Sequence, residues 1–133
     1  MTTDEIRALE PNARKRLQRF ADCFKRAPVF DYFPKLKILM AHGGRPLWMN
    51  TAFFLLRRHR NVFLDISGIP PKSLLKYFPR LEEIAHKTLF GTDWPGPGVP
   101  DIRQNLDEFR ALPLSESTKE TILSKTALSI WPE

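Results

Sequence analysis

Apolar positions along this chain change period several times, and each change marks an element. Ala13, Leu17, Phe20, Ala21 and Phe24 recur at helical spacing, predicting an amphipathic helix over residues 12–25 with Asn12 as its N-cap. Pro28 and Pro34 interrupt the next stretch, so residues 27–34 read as a connection. Lys37-Ile38-Leu39-Met40-Ala41 is a short apolar run that stops at His42-Gly43-Gly44, the pattern of a buried strand. Residues 46–58 return to helical spacing, with Trp48, Ala52, Leu55 and Leu56 on one face. A second strand is predicted over residues 61–67, ending at Gly68. Pro71 and Pro79 open two short helical stretches, 72–77 and 80–85. Thr88-Leu89-Phe90 reads as a third strand, ending at Gly91-Thr92-Asp93.

The proline- and glycine-rich run from Trp94 to Pro100 can be neither helix nor inner strand and is expected to be a loop. Residues 101–110 form a polar helical pattern. Ser115 is placed to cap a last helix whose apolar face is Ile122, Leu123, Ala127 and Ile130. Strands thus recur about every 25 residues with helices between them, the spacing of right-handed βα units in a parallel sheet. The expected class is α/β.

Length and composition narrow this picture. The 133 residues suit one domain, with residues 1–30 as a helical lead-in and 35–133 as βα units with a closing helix. No apolar run is long enough to span a membrane, and residues 1–10 lack the apolar core of a signal peptide. The single Cys23 cannot form an internal disulfide and reads as inert packing. A soluble, cytoplasmic protein is expected.

The formal net charge of +6 raises the question of an anionic partner. Its two clusters, Arg14-Lys15-Arg16 and Arg57-Arg58-His59-Arg60, fall in helical patterns, the second in a last turn where cations complement the helix dipole. They read as solvated faces. No helix-turn-helix, zinc-finger or aromatic stacking motif accompanies them, so nucleic acid is not the expected partner.

Chemistry in parallel α/β folds sits where strands stop and loops begin. The first strand stops at Ala41-His42-Gly43-Gly44, where the glycines allow a sharp turn and close approach of a ligand. The third stops at Gly91-Thr92-Asp93-Trp94-Pro95, offering a carboxylate that can bind a metal, orient water or accept a proton. Asp65 and Ser67 share a face of the middle strand and read as hydrogen-bonding core groups rather than catalysts. Arg45 has the chemistry to bind a substrate carboxylate, and Trp94 to wall a pocket.

The ordered motifs "KILMAHGG", "NVFLDISG" and "TLFGTDWP", followed by a helix after "LPLSESTKETIL", resemble the last three βα units of the amidohydrolase-related family, from about Phe33 to Trp131. That family includes aromatic-acid decarboxylases and lactone hydrolases built on a (β/α)8 barrel. The resemblance implies that His42 ends the sixth barrel strand and acts on substrate or metal-bound water. It implies that Asp93 ends the eighth strand, contacts a divalent metal, usually zinc, and can take a proton. Gly43, Gly44, Arg45 and Trp94 would line the side facing a small carboxylated substrate.

The chain also departs from the family. His42, His59 and His86 are its only histidines, and no His-x-His is present. His59 ends a basic helix and His86 precedes the third strand, at the stability face of a barrel, so neither is expected to be a ligand. A zinc site normally takes three protein ligands, and a closed barrel about 250 residues. The expectation is therefore the C-terminal portion of a barrel, a truncated or partial product in which metal binding by the chain alone is doubtful. The alternative is a non-catalytic module that pairs with another chain, as a homo-oligomer through exposed sheet edges.

Overall fold

Among the described residues, three parallel strands form one sheet in sequence order, β1 (Ile38–Ala41), β2 (Val62–Asp65) and β3 (Thr88–Leu89). The structure is a computed structural model that describes residue 33, residues 35–96 and residues 99–131. The expected helix over 12–25, with Asn12, Cys23 and the Arg14-Lys15-Arg16 cluster, lies outside the described residues. Ile38 pairs with Val62 and Ala41 with Asp65, while Leu64 pairs with Thr88 and Asp65 with Leu89. This register brings the ends of all three strands to one edge.

β2 is the central strand, and its Val62 and Leu64 are fully buried. The helix α1 (Met49–Arg58) follows β1 and buries Met49, Ala52 and Leu56. It starts three residues later than the apolar periodicity suggested, after the turn that contains Pro46. A second helix, α2 (Pro71–Tyr77), begins with proline in its first turn, where the missing N–H costs no hydrogen bond. The stretch expected over 80–85 is a 3₁₀ helix, Leu81–Lys87. A 3₁₀ helix rises about 2.0 Å per residue against 1.5 Å in an α-helix, so it carries a short segment further between Pro79 and β3. Leu74, Phe78, Leu81, Ile84, Phe109 and Ile122 complete the core.

The polar helix α3 (Ile102–Arg110) is capped by Asp101, whose side chain accepts from Gln104 N–H at 2.8 Å. Ser115 caps the closing helix as its position predicts, accepting from Thr118 N–H at 3.2 Å. That helix runs as α4 (Glu116–Glu120) through a π turn (Thr121–Lys125) into α5 (Thr126–Ile130). Within the π turn, the Ile122 carbonyl accepts Phe90 N–H at 3.0 Å, anchoring the end of β3. Thr126 Oγ1 donates to Ala85 O at 3.0 Å, a second buried tie to the 3₁₀ helix.

Lys87 closes the other end of the βα unit. Its ammonium donates to Leu56 O at 2.6 Å and to His59 O, so a cation sits on the C-terminus of α1. Burial lowers the Lys87 pKa from its ordinary value. The described residues thus form an α/β layer of three parallel strands with flanking helices, consistent with part of a barrel. No helix among them is long and apolar enough to cross a membrane.

Candidate active site

The three strand ends meet at Gly68. A Cβ built on this glycine would lie 2.7 Å from His42 Nδ1, 3.1 Å from His42 Cε1 and 3.0 Å from Asp93 Oδ2. Those separations are shorter than van der Waals contact, so only a glycine lets the imidazole and the carboxylate close over the end of β2. Gly68 also has φ +66° and donates its N–H to Thr92 O at 3.4 Å, which ties it to the loop carrying Asp93. The sequence signalled His42 and Asp93 but gave Gly68 no such role.

His42 (φ 59°) and Asp93 (φ 67°) are the non-glycine residues with positive φ among those described. Such backbone is uncommon for a residue with a Cβ and typically costs about 1–3 kcal/mol. Strain of this kind persists where surrounding contacts impose it, and here it falls on the two candidate catalysts. Beside His42, Gly43 is closely packed. A Cβ there would lie 2.8 Å from Phe78 Cζ and 2.9 Å from Leu64 Cδ1.

That packing gives the glycine pair a structural role. Gly43 is buried, and the space a side chain would take is filled by Phe78 and Leu64 rather than open to a ligand. At Gly44 a Cβ would meet Trp48 Cβ at 3.1 Å. Both glycines are thus required where the chain turns from β1 toward α1. Arg45 is exposed, and its guanidinium donates to Gly68 O, so it too is drawn to the meeting point. Trp94 is 54% exposed, beyond Asp93, with its N–H donated to Thr92 Oγ1 at 3.2 Å.

His42 is half-buried, and its Nδ1 lies 2.7 Å from Ser67 O and 3.3 Å from Ser67 Oγ. Ser67 in turn donates its N–H to Asp65 Oδ1 at 2.8 Å and its hydroxyl to Asp65 Oδ2 at 2.7 Å. The shared face expected of Asp65 and Ser67 is present, and the pair is hydrogen-bonded. Their link to His42 went unread, because the period of a strand gives the face but not the partner on the next strand. His86 is exposed at the N-terminal side of β3, and His59 follows the last turn of α1.

As a metal centre the described residues offer two convergent donors, His42 and Asp93. No group of three or more His, Cys, Asp or Glu side chains among them is placed to hold an ion. Zinc normally takes three protein ligands with a fourth position open. These residues alone therefore do not fit a zinc cage, and no reaction step is derived through an ion.

A histidine and a carboxylate converging at the C-terminal ends of parallel strands define an α/β site suited to proton transfer. The amidohydrolase family model matches residues 14–132, and the chain belongs to this family. The match begins upstream of Phe33, so it takes in most of the segment that precedes the strand motifs. Membership places the chain's function within the hydrolase superfamily, whose members generally use divalent metals. No curated protein and no solved structure matched the chain.

Proposed function

We propose that the His42–Asp93 site serves amidohydrolase-type chemistry on a small carboxylated molecule, by hydrolysis or by non-oxidative decarboxylation. The observation that supports this reading is the convergence of the imidazole and the carboxylate on Gly68. His42 moves a proton at substrate or water, and Asp93 accepts one. Arg45 spends one guanidinium nitrogen on Gly68 O, and its remaining N–H groups suit a substrate carboxylate. Trp94 walls the exposed side, while Gly43 and Gly44 shape the turn beneath the substrate. The complete chemistry calls for a divalent ion, zinc by expectation, with Asp93 as one ligand and others from beyond the described residues.

Turnover of a panel of lactones, amides and aromatic carboxylic acids, with and without added zinc, tests this reading. Activity that falls in both His42→Ala and Asp93→Asn supports it. Activity that both variants retain overturns it.

A second reading is pairing of the chain with a copy of itself along β1. Among the described residues β1 pairs with β2 alone, and its Leu39 is 42% exposed. A mass above the monomer by light scattering, reduced by Leu39→Lys, is the expected outcome. A monomeric mass for the parent chain removes it.

A further inference from the structure

We infer that Asp65 and Ser67 are positioning residues that hold His42 as its Nδ1–H tautomer, leaving Nε2 as the nitrogen available for chemistry. This inference rests on the proposed role of His42. The Ser67 carbonyl lies 2.7 Å from His42 Nδ1. A carbonyl oxygen accepts hydrogen bonds and never donates them, so the short contact requires the proton on Nδ1. The other neutral tautomer would set a ring lone pair against the carbonyl lone pairs at that distance.

Asp65 determines what the rest of Ser67 offers. Its carboxylate takes both Ser67 donors, the N–H at 2.8 Å and the hydroxyl at 2.7 Å. The only hydroxyl proton of Ser67 is thus directed away from His42. The Ser67 oxygen that faces Nδ1 at 3.3 Å presents lone pairs, a second acceptor for the same ring proton. Ser67 is buried, so water does not compete freely for these groups.

The carboxylate itself stands on rigid backbone. Asp65 is the last residue of β2, in register with Ala41 on one side and Leu89 on the other. Gly91 packs against it, since a Cβ there would lie 3.0 Å from both Asp65 Oδ1 and Ser67 Cβ. Asp65 therefore acts on His42 through Ser67, orienting the ring as a carboxylate or carbonyl behind a functional histidine does. The "DISG" segment that ends β2 is thus the support of the histidine that ends β1.

The test is long-range ¹H–¹⁵N NMR on the metal-free chain labelled at histidine, with His42 assigned from His42→Gln. The expected result for the parent is an excess of the Nδ1–H form of about tenfold, the size one hydrogen bond made by a single tautomer supplies. In Asp65→Asn the side-chain amide cannot accept both Ser67 donors, so the hydroxyl proton becomes free to turn toward Nδ1. That excess is then expected to fall without vanishing, because the Ser67 carbonyl still favours the Nδ1–H form. Asp65→Asn combined with Ser67→Ala removes the competing hydroxyl and is expected to recover the Nδ1–H form. A dominant Nε2–H form in the parent overturns the inference, as does a ratio in Asp65→Asn equal to the parent's. The parent spectrum decides the tautomer even where a variant fails to fold. Because the readout needs no turnover, a chain with the expected tautomer and no activity would fault the proposed function alone.

Discussion

His42 and Asp93 stand on the same edge of the sheet but are held in opposite ways. His42 is half-buried, and its ring rests on Ser67, which is clamped by Asp65 on the central strand. Asp93 is exposed at the head of a loop, held by its own turn through Gly96 N–H to Asp93 O at 2.6 Å. One side of the site is fixed by buried partners before any ligand arrives, and the other presents its carboxylate to solvent. A group whose hydrogen bonds are already satisfied sets geometry, while an exposed carboxylate remains open to a substrate, a proton or a cation.

The largest expected effect breaks both sides at once. Gly68→Ala forces a Cβ into His42 and Asp93 and penalises a backbone at φ +66°. A loss of about 2–4 kcal/mol is expected in urea unfolding. A stability equal to the parent's would show that the strand ends do not close as described. Gly43→Ala should behave alike, through Phe78 and Leu64 rather than through the site.

Removing the clamp alone should cost less. Asp65→Ala leaves the Ser67 N–H and hydroxyl without their acceptor, a loss of about 1–3 kcal/mol by the same measurement. The exposed side should be the quiet one. Asp93→Asn is expected to change stability by less than about 0.5 kcal/mol, the usual range for a surface position. A large loss there would erase the contrast between the two sides.

Smallest is a pH effect away from the site. Burial lowers the Lys87 pKa below its ordinary 10.5, so between that lowered value and 10.5 the unfolded chain binds the extra proton. Stability from this group therefore rises with pH across that window. Comparing the parent with Lys87→Met in urea titrations near the top of the range should show the rise in the parent alone. Equal slopes would contradict it.

The sequence made some of this architecture legible and left the rest hidden, for physical reasons. Strand positions followed from short apolar runs, although among the described residues only β2 and β3 carry fully buried positions and β1, read as a buried strand, is half-buried to exposed. Ser115 was readable as a cap because capping is local, a side chain reaching an N–H three residues on, whereas Asp101 read as the first residue of its helix and is its cap. His42 and Asp93 stood out as polar residues at strand ends beside glycines. Contacts between strands were not legible. The approach of Gly68 to His42 and Asp93, the Ser67–His42 contact and the Arg45–Gly68 hydrogen bond each depend on register. The π turn was hidden because its tie, Ile122 O to Phe90 N–H, joins distant segments. The packing of Phe78 and Leu64 against Gly43 was hidden for the same reason.

The central claim is that His42 and Asp93 converge on Gly68 in a single site. Zinc titration of the chain, followed at both residues by NMR, tests this most directly. Both residues should respond over the same zinc concentrations, with weak binding because two donors do not make a cage, and the His42 response should be lost in Asp93→Asn. A His42 signal indifferent to zinc, or one that shifts equally in Asp93→Asn, would contradict it.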